Sequence, residues 1–103
     1  MINLIENNYN ELQILCSRYN VKSLELIGSA TKPESFHQET SDLDFLVDFL
    51  PLEAGKYADA YFGLLEALEN LFQRHIDLLM IRAVKNPYFL QAINQTRKLL
   101  YAA

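Results

Sequence analysis

Near the N-terminus, apolar side chains recur at Ile5, Tyr9, Leu12, Leu15, Cys16 and Tyr19, with Glu6, Asn7, Asn10, Glu11 and Gln13 between them. That spacing predicts an amphipathic helix over residues 2–19. In "VKSLELIG" the rhythm changes: Leu24 and Leu26 share one face of a strand, and Gly28 and Ser29 stand just past its end. Residues 30–41 are polar and include Pro33 and His37, which predicts a loop. "DLDFLVDF" then alternates, with Leu43, Phe45, Val47 and Phe49 on one face and Asp42, Asp44, Leu46 and Asp48 on the other. Pro51 closes this second strand.

A helical stripe follows over residues 54–74, carried by Tyr57, Tyr61, Leu64, Leu65, Leu68, Leu71 and Phe72. "HIDLLMI" predicts a third strand with Ile76, Leu78 and Met80 on one face and Asp77 on the other. Asn86 and Pro87 suit an N-cap and first helical position, opening a last helix through Leu90, Ile93, Arg97 and Leu100. The predicted order is α-β-β-α-β-α. It implies an α/β or α+β fold in which helices cover a small sheet, as one domain over residues 1–103.

A chain of 103 residues, half of them hydrophobic, buries about two-thirds of its unfolded surface and folds without staples. The net charge of −4 argues against direct nucleic-acid binding by phosphate neutralisation, though not against a small phosphate ligand that brings its own cation. Cys16 is the only cysteine, which excludes an internal disulfide framework and a cysteine zinc site and fits a reducing cytoplasm. Neither a basic leader followed by an apolar run nor a membrane-length apolar run is visible. A cytoplasmic protein without membrane contact is expected.

The aspartates carry the chemistry. Asp42 and Asp44, two residues apart on a strand, have Cα atoms roughly 6.5 to 7 Å apart on the same face, so both can aim at one point. Asp77 lies on a strand that could pair beside theirs. Converging carboxylates repel unless one takes up a proton or a cation intervenes. Mg²⁺ suits such hard oxygen donors, and two ions could serve one cluster. Gly28 and Ser29 would seat a phosphate, the glycine by permitting a sharp turn and close backbone approach, the serine through its hydroxyl and N–H. Lys32 adds a positive charge. The plainer alternatives are solvated strand aspartates at 42, 44 and 77 and an ordinary turn at Gly28. Asp48 reads as a solvated or rim charge, His37 as a loop histidine, His75 as structural and Cys16 as core.

Glycine-serine at a strand end, a loop, "SDLDFLVDF" and a later "HIDLLMI" resemble, in that order, the minimal nucleotidyltransferases (MNT) of the DNA polymerase β-like superfamily, and "NPYFLQAINQTRKLLYAA" looks like the C-terminal helix of small members. The resemblance implies a mixed sheet on which Asp42, Asp44 and Asp77 hold two Mg²⁺ ions while Gly28, Ser29 and Lys32 bind the triphosphate of ATP. It further implies an antitoxin that transfers AMP to a tyrosine of a HEPN ribonuclease toxin encoded by a neighbouring gene, and leaves room for a hetero-oligomer with that toxin. Two features depart from the family pattern: the loop of twelve residues between Ser29 and Asp42 is longer than is common, and Lys32 stands where arginine is frequent. They keep open the alternative of an antitoxin that inhibits by docking alone.

Overall fold

The computed structural model describes residues 2–32, 34 and 42–103. Most of the expected loop, including Pro33 and His37, lies outside these residues. Helices α1 (Asn3–Asn7) and α2 (Tyr9–Arg18) lead into β1 (Val21–Ile27) and a 3₁₀ turn over Gly28–Thr31; β2 (Leu43–Phe49), α3 (Lys56–Phe72) and β3 (Ile76–Met80) follow. A second 3₁₀ turn over Ile81–Ala83 precedes α4 (Pro87–Asn94) and β4 (Lys98–Ala102). The sheet order is β3-β2-β1-β4. β1 is antiparallel to β2 and β4, and β3 is parallel to β2. The expected small mixed sheet flanked by helices is therefore the architecture.

One sheet face holds the main core. Val21, Leu24 and Leu26 of β1, Leu43, Phe45, Val47 and Phe49 of β2, and Ile76 and Leu78 of β3 are buried with Leu12, Cys16, Leu64, Leu68 and Phe72 from the helices. Phe45 and Phe72 stack with ring centroids 6.0 Å apart. Each such large apolar side chain contributes roughly 1.5 to 3 kcal/mol through burial. The opposite face is only partly covered: Ile27, Leu46 and Ile93 form a smaller cluster with Leu79, Ile81 and Val84. This is why Leu46 interrupts the row of aspartates on β2. It anchors α4 on the face where Asp44 and Asp48 also point.

Two expectations about helices are corrected. The single helix over residues 2–19 is broken at Asn8, whose backbone leaves the helical region (φ −112°, ψ 16°) while its side-chain amide donates to the Leu4 carbonyl at 2.9 Å. Asparagine competes in this way with the regular backbone ladder. The last helix stops at Asn94, and Lys98–Ala102 is a strand on the free edge of β1. Ile93 and Leu100, expected on one helical stripe, instead lie in the clusters on opposite sheet faces. Sheet pairing and a bidentate Arg97 to Glu25 ion pair (Nη2 to Oε1 3.0 Å, with Nε on Oε2) hold the turn between them. The start of α4 is as expected, with Asn86 Oδ1 accepting from the Tyr88 and Phe89 amides at 2.9 and 3.2 Å.

Candidate active site

The parallel register sets the site. Asp44 on β2 is the cross-strand neighbour of Asp77 on β3, and Leu43 is the neighbour of Ile76. The Leu43 amide also donates to the His75 carbonyl at 3.4 Å, so the ladder continues to the residues just before both strands. Asp42 and Asp44 thus lie along one edge of a square, and His75 and Asp77 along the other. Residues two apart in a strand share a face, so all four side chains belong to the same side of the sheet.

Asp44 is half-buried, whereas Asp42, His75 and Asp77 are exposed. Its carboxyl is hydrogen-bonded to that of Asp77 and pushed up to about 6, first by burial, then by that hydrogen bond and the charges of Asp77 and Asp42; His75 opposes them. His75 Nε2 lies 2.9 Å from Asp77 Oδ1, and this contact raises the histidine above its ordinary value. Ligand atoms of Asp42, His75 and Asp77 all fall within 4.8 Å of one another. A divalent cation fits such a donor set, because two carboxylates and an imidazole converge there at a spacing that one ion can span.

At the end of β1 the chain turns through Gly28 (φ +75°), and a Cβ there would sit 2.5 Å from Asp44 Oδ2. Only glycine meets both demands, the left-handed backbone and the close passage of the carboxylate. The turn is tied from both sides. The Gly28 amide donates to Thr96 Oγ1 at 3.2 Å, and the Gly28 carbonyl accepts from Thr31 Oγ1 at 2.7 Å. Ser29 is partly exposed in the turn, its carbonyl accepting from the Lys32 amide at 3.1 Å, and Lys32 is exposed. Asp48, expected as a solvated rim charge, pairs with Arg82 at 3.0 Å on the far side of Leu46.

A cavity of about 630 Å³ opens beside this cluster, with Gly28, Asp44 and Asp77 on one wall and Phe89, Ile93 and Thr96 on the other. It is large enough for a small organic ligand. A groove of similar volume, about 610 Å³, runs between α2 and α3 past Glu11, Arg18 and Glu66. Among the described residues that groove holds no cluster of three metal-ligating side chains and no glycine turn, which favours the first cavity as the candidate site. Sequence reasoning did not single out Thr96, and it gave His75 a structural place. Nothing near Thr96 signals its role, but "HID" repeats the spacing of "DLD" and would have placed His75 beside Asp42.

The nucleotidyltransferase domain family matches residues 11–100. The chain belongs to that family. Its activity is that of a nucleotidyltransferase. "Putative protein adenylyltransferase MJ1379" of Methanocaldococcus jannaschii is 32% identical to this nucleotidyltransferase over 83 residues, covering 81% of the chain and 80% of the relative. A solved structure described as a putative minimal nucleotidyltransferase superposes with a TM-score of 0.72 at 24% identity, covering 94% of this chain and 95% of that one. The complex of a tri-AMPylated Shewanella oneidensis HEPN toxin with its MNT antitoxin gives a TM-score of 0.64 at 18% identity, covering 95% of this chain and 72% of that one. At these identities the two structures establish the fold. Among the described residues, no helix is long and apolar enough to cross a membrane.

Proposed function

We propose that this nucleotidyltransferase is a protein adenylyltransferase antitoxin, transferring AMP from ATP to a tyrosine hydroxyl of a HEPN ribonuclease toxin encoded by a neighbouring gene. The observation that carries the reading is the register pairing of Asp44 with Asp77 directly against the Gly28 turn. It sets acidic donors beside a backbone turn at the mouth of a cavity. The name of the archaeal relative supports protein adenylylation, and the toxin complex with the same fold supports the class of partner.

The Gly28–Thr31 turn, with the Ser29 hydroxyl and amide and the Lys32 ammonium, receives the triphosphate. Asp42, Asp44 and Asp77 would hold Mg²⁺, and the bound ion would lower the acceptor hydroxyl's pKa and offset charge on the leaving phosphates. The acceptor oxygen then bonds to the α-phosphorus as the bond to pyrophosphate breaks. The hydroxyl proton passes to Asp77, whose carboxylate is exposed on the cavity side and already shares hydrogen bonds with Asp44 and His75. Tyr61 is no acceptor within the chain, since its hydroxyl is committed to the Leu78 carbonyl at 2.6 Å.

Intact-mass spectrometry of the neighbouring-gene protein, incubated with this chain, Mg²⁺ and ATP, tests the reading. The expected result is a gain of one or more AMP units that disappears with Asp44→Asn. A stable complex without mass gain would instead establish inhibition by docking. Full transfer by Asp44→Asn would overturn the mechanism.

A further inference from the structure

The three exposed donors that converge at this site are not three carboxylates. Asp44 turns into the protein, against Gly28 and onto Asp77, and the open corner of the square is occupied by the imidazole of His75. One of its ring nitrogens and one oxygen each of Asp42 and Asp77 lie within 4.8 Å of one another. Ligands on opposite sides of a first-row ion with bonds of about 2.1 Å stand about 4.2 Å apart. Small side-chain rotations therefore suffice to close this trio around one cation.

We infer that His75 is a direct metal ligand, so that the site takes Mn²⁺ or another first-row transition ion through one nitrogen and two carboxylate oxygens, in preference to Mg²⁺. This rests on the nucleotidyltransferase reading of the site, of whose three carboxylates it keeps Asp42 and Asp77 and sets His75 in the place of Asp44. The preference follows from ligand chemistry. Mg²⁺ selects oxygen donors and keeps its waters, whereas imidazole suits the transition ions. To bind a cation, the imidazole would have to release any proton on its ligating nitrogen to solvent. The backbone supplies the placement: His75 stands just before β3, beside Asp42 just before β2, and the ladder bond from Leu43 to the His75 carbonyl fixes the two strand ends against each other.

The rival role for His75 is a plain surface ion pair with Asp77, since both side chains are largely exposed. Electron spin-echo envelope modulation of Mn²⁺ bound to the tag-free chain, without nucleotide or imidazole buffer, separates the two. A directly coordinated imidazole gives ¹⁴N modulation. It is expected in the wild type and in His37→Gln, lost in His75→Gln, and replaced by ¹⁵N modulation in protein labelled with [¹⁵N]histidine. In titrations, His75→Gln is expected to weaken Mn²⁺ by about tenfold or more, at least the loss seen when a ligand's supporting partner is removed, and to leave Mg²⁺ within about twofold. Mn²⁺ bound without ¹⁴N modulation, modulation that vanishes with His37→Gln, or equal losses for both ions would each overturn the inference. AMP transfer with Mg²⁺ would still stand in those cases. Transfer that survives Asp44→Asn would sink the wider reading whatever His75 does.

Discussion

Replacing Gly28 by alanine should damage the fold and the site together, through separable terms. The first is the backbone. At φ +75° an L side chain costs about 1 to 2 kcal/mol. The second is a collision: the new Cβ would meet Asp44 Oδ2 at 2.5 Å, well inside the 3.4 Å at which such contacts become ordinary. Relieving it means displacing a half-buried carboxylate, an overpacking cost of about 1 to 3 kcal/mol. Gly28→Ala should therefore lower unfolding stability by about 2 to 5 kcal/mol, read from urea melts in chelator at neutral pH.

A double-mutant cycle isolates the collision. Asp44→Ala removes the offending oxygens and leaves Asp44 Cβ 3.6 Å from the new methyl, an ordinary contact. In that background Gly28→Ala should cost only the backbone term, giving a coupling energy of about 1 to 3 kcal/mol. Equal costs in both backgrounds would refute the claim that Asp44 occupies the space glycine leaves open. A total cost below about 0.5 kcal/mol would refute the strained turn as well.

Asp44→Asn should stabilise the metal-free protein. The folded carboxyl titrates near 6 against an ordinary 3.8, so its contribution is full below about pH 4 and is lost as the pH rises through about 6. A shift of that size in a sealed site would be worth about 3 kcal/mol, but the group is half open to solvent, so a gain of about 1 kcal/mol at pH 7 is expected. Urea melts of both proteins in chelator should differ at pH 7 and converge near pH 4, and saturating Mg²⁺ should erase the difference. Leu100→Ala should cost about 3 kcal/mol, because Leu100 is only 2% exposed, whereas Leu99, at 61% exposed, should tolerate alanine within about 0.5 kcal/mol; thermal or urea melts check the contrast. Thr96→Val should cost about 1 kcal/mol and free the Gly28 amide to exchange, which amide hydrogen exchange by NMR reads directly.

The strands that build the site were legible because their signals are local. Strict alternation in "DLDFLVDF", and the Asn86-Pro87 pair that caps α4, need no knowledge of what lies elsewhere. The C-terminal segment failed for a definite reason. Leu90, Ile93, Arg97 and Leu100 satisfy a helical spacing by coincidence, and what ends the helix is the vacant edge of β1, to which Lys98–Ala102 is hydrogen-bonded. Glu25, Arg97's partner, is remote in sequence, so no local window contains the interaction. The place of His75 across the ladder from Asp42 is a matter of strand register, which the matching "DLD" and "HID" spacing suggests but neither strand fixes alone.

A core strand can carry this many aspartates because its two faces are treated unequally. On the inner face, Leu43, Phe45, Val47 and Phe49 are all buried and hold β2 at the centre of the sheet. That burial fixes the strand without help from the other side, which is then free to carry groups that work against folding. Leu46 and α4 cover only the middle of the outer face, and Arg82 neutralises Asp48 beyond it. What stays unneutralised is the end carrying Asp42 and Asp44, where the sheet meets the glycine turn and the cavity. Asp44 leans on Gly28 and faces Asp77, and among the described residues no ion pair joins it to a basic side chain. A salt bridge at that position would stabilise the empty fold, but it would also occupy the donors that a cation requires. The carboxylate repulsion therefore gathers where a cation could relieve it, and a cation bound there would stabilise the fold.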